Sequence, residues 1–114
     1  MELQSVARSL AALAHEHRLR TFRLLVVAGP AGVTPGELSD ELQIPCTTLS
    51  FHLKELTNAG LIHQERVGRH LVYRAAFPHM DELLAFLTRD CCKSPPEIRA
   101  GASRESGADT LQPN

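Results

Sequence analysis

Three cysteines are the most reactive side chains of this 114-residue chain, and two of them, Cys91 and Cys92, are adjacent. Neighbours on a helix project about a quarter-turn apart, so two thiolates near a helix end can swing onto one ion. Sulfur is a soft ligand and selects a thiophilic ion over a hard one. Trivalent arsenic or antimony fits best, since each favours a pyramid of three sulfurs. Two sulfurs completed by a small thiol or water form one such site; Cys46, the remaining cysteine, is the alternative third ligand. Two other readings of the pair stay open. Sulfenylation or a disulfide, made with Cys46 or across a dimer, would make it a redox switch; or the two are small apolar residues that end a packed helix. His15-Glu16-His17 also invites a metal, but it falls at a helix junction, where polar residues cap and turn.

Cys46 itself lies in residues 45–60, PCTTLSFHLKELTNAG, the stretch around which the rest is arranged. Leu49, Leu53 and Leu56, with Ala59 behind them, recur at helical spacing, and Gly60 suits a left-handed C-cap. That stripe anchors one face. The other begins with Cys46, Thr47, Ser50 and Phe51, short or neutral side chains that let a helix N-terminus approach a polyanion, while Lys54 supplies charge further along. A recognition helix has this layout.

The flanking elements must position it. Leu3, Val6, Leu10 and Leu13 predict a first helix ending near His15. Leu19, Phe22, Leu25 and Val26 predict a second over residues 17–28, stopped by Gly29-Pro30. Thr34-Pro35-Gly36-Glu37 combines an N-cap, a proline at the first helical position and a capping-box glutamate, so a third helix starts there with Leu38 and Leu42 on its core side. It ends near Gln43. Ile44-Pro45 leaves so short a connection that the third and fourth helices form a helix-turn-helix, with an ordinary helical hairpin as the alternative.

After Gly60 the period changes. Residues 61–66 and 70–75 are strand-like runs around a turn at Val67-Gly68-Arg69, the signal of a β-hairpin. Arg66 and Arg69, near its tip, either touch a DNA backbone or minor groove or merely solvate an exposed turn. A last helix over residues 79–90 carries Met80, Leu83, Leu84 and Leu87. With the first helix it offers more apolar surface than so small a core needs, which predicts a two-fold dimer. The expected fold is thus mainly α (α+β), a winged helix-turn-helix of about five helices with one β-hairpin wing. It occupies residues 1–92, and residues 93–114, rich in Ser, Pro, Gly and Ala, form a disordered tail.

Net charge is −1, but residues 44–75 hold Lys54, Arg66, Arg69 and Arg74 against Glu55 and Glu65, an excess of +2. Such asymmetry turns the middle of the fold toward phosphate. No run approaches the ~20 apolar residues of a bilayer span, and the N-terminal stretch lacks a signal-peptide layout, which places the protein in the cytoplasm with no membrane contact. No anion-cradling loop accompanies any cysteine, and there is no Ser-His-Asp order or metal-hydrolase motif. These absences argue against an enzyme, a cysteine-dependent arsenate reductase included.

The order helix, helix, helix, recognition helix, wing, helix resembles the ArsR/SmtB family of metal-responsive repressors. LAALAHEHRLRTFRLL is similar to that family's second-helix opening. TTLSFHLKELTNAGLI is similar to its recognition block, including Ser50, His52, Leu53, the Gly60-Leu61 junction and the later Gly68-Arg69 wing turn. The likeness spans about residues 3–92. It implies a homodimer that binds an imperfect inverted repeat in double-stranded DNA and blocks transcription until an inducer lowers its affinity. Carried over by position, Cys46, Thr47, Thr48, Ser50 and Phe51 face the operator, and His52 either packs or hydrogen-bonds a phosphate. Pro45, where Ser or Thr usually caps the helix, and Phe51, often polar in the family, depart from the pattern and bear on which operator is read. Members resembling this chain take up arsenic or antimony on cysteines in various places, the terminal helix among them. The family's terminal-helix zinc sites pair histidines and carboxylates from two subunits, a spacing that His79, Asp81 and Asp90 do not reproduce, which ranks zinc below the metalloids.

Overall fold

A computed structural model of the protein describes residues 1–90; Cys91, Cys92 and the expected tail lie outside the described residues. Five helices and a hairpin follow in the order α1 (Leu3–Leu13), α2 (Glu16–Ala28), α3 (Pro35–Leu42), α4 (Cys46–Asn58), β1 (Ile62–Val67), β2 (His70–Ala75) and α5 (Phe77–Thr88). A 3-10 turn over Gly29–Ala31 closes α2. The core joins Phe22 and Leu25 of α2, Leu38 and Leu42 of α3, Leu49, Leu53 and Leu56 of α4, then Leu61, Ile62 and Leu83. Burying one such leucine contributes ~1.5–3 kcal/mol, so α4 is held mainly by three side chains on one stripe.

Local chemistry fixes both ends of the helix-turn-helix. Thr34 caps α3, its hydroxyl accepting from the Glu37 amide at 3.3 Å while Glu37 Oε1 accepts from the Thr34 amide at 2.9 Å. Gln43 ends α3 in the left-handed region at φ 59°, which redirects the chain. Ser39 Oγ then donates to the Ile44 carbonyl at 2.6 Å and ties the turn to the helix it leaves. At the far end of α4, Gly60 has φ 81°. Its amide donates to Thr57 O at 2.9 Å and that of Leu61 to Leu56 O at 3.1 Å, the paired bonds of a Schellman ending.

The hairpin pairs Ile62 with Ala75 through Val67 with His70, leaving Gly68-Arg69 as a two-residue turn. Gly68, at φ 63°, supplies the left-handed conformation that the first turn position requires. Val33 adds a bridge on the other edge of β2, exchanging hydrogen bonds with Tyr73 at 2.9 and 2.8 Å. Here Gly32 is obligatory: at φ 73°, a Cβ would lie 2.3 Å from Val72 Cγ1 and 2.9 Å from the Tyr73 carbonyl. The wing is therefore anchored to the α2–α3 connection as well as to α4.

Two helices turn differently from expectation. In α1 the core-facing residues are Val6, Ser9 and Ala12, while Leu3 is 71% exposed and Leu10 also faces outward. Ser9 is small enough to sit against the end of α4, where its hydroxyl donates to Ala59 O at 3.5 Å, and no leucine could occupy that place. In α2, Thr21 takes a core position with its hydroxyl satisfied by His17 O at 2.7 Å, and Leu19 points away. α5 buries Leu83 but leaves Leu84 at 52% and Leu87 at 51% exposure.

Candidate nucleic-acid interface

The two faces of α4 are sharply divided. Leu49, Leu53 and Leu56 are buried, whereas Cys46, Thr47, Thr48, Ser50, Phe51 and Lys54 are exposed. No side chain caps the N-terminus, because Pro45 occupies that position, and the Leu49 amide is the first of α4 to bond within the chain, to Pro45 O at 2.9 Å. The preceding amides and the positive end of the helix dipole thus open toward an anion. Cys46, the free cysteine among the described residues, stands exposed in this first turn.

Beside α4, a cleft toward the wing is lined by Ser50, Lys54, Thr57, Asn58, Gln64 and Tyr73. Gln64 and Tyr73 are cross-strand partners, so they share one face of the hairpin. Burial pushes the Tyr73 phenol above its ordinary value, which keeps its proton available for donation. Arg66 and Arg69 are exposed near the wing tip. Arg74 is committed elsewhere: it pairs with Glu65 and donates to the Pro30 carbonyl at 2.7 Å. Since this pair cancels, the +2 excess of the middle rests on Lys54, Arg66 and Arg69 against Glu55 alone.

His52 does not face outward. At 4% exposure it packs between α4 and α2, which is one of its two expected roles. Its Nδ1 accepts from Arg18 Nε at 3.2 Å. The Arg18 guanidinium also lies 5.5 Å from the centre of the Phe51 ring. His15 and His17 complete the neighbourhood, with ring centres 4.7 and 5.8 Å from that of His52. Among the described residues, no group of three or more histidine, cysteine, aspartate or glutamate side chains is arranged to hold a metal ion. His79 is engaged with Ser9, Nε2 to Oγ at 2.8 Å.

Sequence reasoning missed Arg18, Gln64 and Tyr73. Gln64 and Tyr73 carried a signal, since strand alternation around the Gly68 turn puts opposed residues on one face. Arg18 carried none, being 34 positions from its partner His52.

Residues 13–65 match a family of helix-turn-helix domains. The transcriptional repressor SmtB of Mycobacterium tuberculosis is 42% identical over 48 residues, covering 42% of this chain and 36% of that protein. The chain therefore matches only about a third of that relative's length. An ArsR-like transcriptional regulator from Rhodococcus superposes with a TM-score of 0.70 at 25% identity, covering 95% of this chain and 96% of the other. The homodimeric winged helix-turn-helix DNA-binding domain of a possible ArsR-family regulator from Mycobacterium bovis superposes with a TM-score of 0.65 at 24% identity, covering 96% and 90%. Among the described residues no helix is long and apolar enough to cross a membrane. With its five helices and hairpin wing, the chain has the winged helix-turn-helix fold and is similar to transcriptional regulators of the ArsR/SmtB type.

Proposed function

We propose that this protein is a cytoplasmic, homodimeric repressor that binds an inverted repeat in double-stranded DNA and loses affinity when trivalent arsenic or antimony is taken up by cysteine thiolates. The observation that carries the DNA reading is the division of α4, with Leu49, Leu53 and Leu56 buried and Thr47, Ser50, Phe51 and Lys54 exposed beside a cationic wing. In this reading Cys46, Thr47, Thr48, Ser50 and Phe51 meet base edges, and Lys54, Arg66 and Arg69 meet phosphates. The dimer is supported by the exposed leucines of α1 and α5, two helices that pack on each other, and by the homodimeric Mycobacterium bovis relative.

Family regulators respond to metal ions. Adjacent thiols at Cys91 and Cys92 support a soft, thiophilic inducer over zinc, with Cys46 as the proposed third sulfur. A duplex selected from a random pool by the purified protein, followed by arsenite titration under reducing conditions, tests both parts. Cys91→Ser or Cys92→Ser is expected to leave duplex binding intact and to abolish release by arsenite; loss of duplex binding by either variant would mean a structural role instead. The exposure of Cys46 in the first turn of α4 favours one second reading, a thiol redox sensor. Release by peroxide and none by arsenite in reducing buffer would select it.

A further inference from the structure

Three imidazoles from two helices meet behind the exposed face of α4. Ring centres of His15, His17 and His52 are separated by 4.7, 5.8 and 6.0 Å. Arg18 Nε, a permanent donor, points at His52 Nδ1. An imidazole that accepts at Nδ1 is neutral and carries its proton on Nε2. The same guanidinium lies over Phe51, one residue away on the face proposed to meet DNA. We propose that Arg18 is a positioning residue for DNA recognition: by donating to a neutral His52 and covering Phe51 it ties the exposed face of α4 to α2, and protonation of His52 releases that tie, so that DNA affinity falls on acidification. The proposal rests on the reading of α4 as the DNA-contacting helix.

The physical reason is a reversal of polarity at one atom. A proton on His52 Nδ1 would turn the acceptor into a donor facing the Arg18 donor, and would bring a second cation against the first. His17 cannot relieve it. Its Nδ1 is buried with no hydrogen-bond partner, so a proton placed there would have no acceptor. Other charges near Arg18 are Arg8 of α1 and Glu55 of α4, which line one groove with it; they are of opposite sign and leave the Arg18 charge in place. Burial first, then His15, Arg18 and His17, hold the His52 pKa below its ordinary value of 6.5. The folded protein therefore binds fewer protons than the unfolded chain as pH drops below 6.5, and the hold weakens in that direction.

General electrostatics predict the opposite trend. His63 and His70 are exposed on the wing, where any gain of positive charge favours phosphate. Binding of a duplex selected at neutral pH is measured by fluorescence anisotropy from about pH 7.5 to about pH 5.5, with circular dichroism confirming the fold throughout. Affinity of the native protein is expected to fall by about fivefold or more, the lower range of coupling between linked sites. His52→Gln, which cannot take up a proton, is expected to abolish the fall. An affinity that rises or holds steady, or a fall that persists in His52→Gln, overturns the proposal. Imidazole NMR on the native chain without DNA provides an arm independent of binding. His52 is expected to carry its proton on Nε2 at neutral pH and to titrate below the ordinary imidazole value of 6.5, and Arg18→Gln to raise the pH at which it titrates. Titration of His52 at or above 6.5, unmoved by Arg18→Gln, overturns the proposal. If no duplex is selected, the reading of α4 has failed and the NMR arm alone decides the latch.

Discussion

The helix-turn-helix with its wing and the α1–α5 pair treat apolar surface in opposite ways. In the first, Leu38, Leu42, Leu49, Leu53, Leu56, Leu61 and Ile62 are all buried, and the large apolar side chains left outside are Phe51 and Val67. In the second, the inward residues of α1 are small, Ser9 and Ala12 beside Val6, and Leu3, Leu10, Leu84 and Leu87 remain outside. Single exposed leucines are ordinary, but four on two packed helices are a surface that a partner can cover. One half closes its own core and displays polar groups; the other leaves apolar surface that a second copy covers in the proposed dimer. In the proposed function, reading and dimerisation thus fall to different elements, joined by the Ser9 hydroxyl, which reaches both His79 and the carbonyl ending α4.

Breaking the second half should have the largest effect. Leu84→Glu together with Leu87→Glu is expected to give a folded monomer by sedimentation velocity and to weaken duplex binding about 100-fold or more, since each half-site is then bound without its neighbour. A dimer that survives this change removes the distinction between the halves. Leu56→Ala attacks the other half and is expected to cost ~2–5 kcal/mol in urea unfolding, because its side chain is wholly buried and leaves a cavity. Leu19→Ala, on an outward face of α2 that neither half uses, should stay within ~0.5 kcal/mol.

How much of this was legible follows from how local each cause is. The capping box at Thr34 and Glu37, the α4 stripe and the Gly68 turn each depend on residues within one or two turns of chain, and each appears as expected. The orientation of α1 does not. Leu3 and Leu10 satisfy the same helical period whether they face the core or a partner, and only contact with Ala59 makes Ser9 the inward residue. His52 was ambiguous for the same reason, since its burial depends on Arg18 of α2 and on His15 just before that helix. The need for glycine at position 32 arises from β2 passing within 3 Å, a contact across 40 residues that no local pattern records.

Within the reading half, base and phosphate contacts should separate in salt titrations. Arg69→Ala is expected to weaken all duplexes alike and to lower the slope of log affinity against log salt by about 1. Ser50→Ala should leave that slope unchanged and shift base preference at one position, by ~1–3 kcal/mol if the hydroxyl meets a base edge.

The smallest effect is expected at the start of α3, and its sign is informative. Hydrogen bonds from the Thr34 amide and then the Thr34 hydroxyl hold the Glu37 carboxyl below its ordinary value of 4.5. Its stabilisation is therefore complete above that value and is lost as pH falls through the folded-state pKa. Thr34→Ala removes the hydroxyl but keeps the amide, so it should cost ~1 kcal/mol at neutral pH and leave part of the acid dependence. Glu37→Gln retains an acceptor that never ionises. In urea unfolding from about pH 6 to about pH 3 it should lose stability less steeply than the native protein. Because the capping box braces α3 and not α4, neither variant should alter duplex binding at neutral pH. A matching loss of DNA affinity would show that the helix-turn-helix is less self-sufficient than its buried leucines imply.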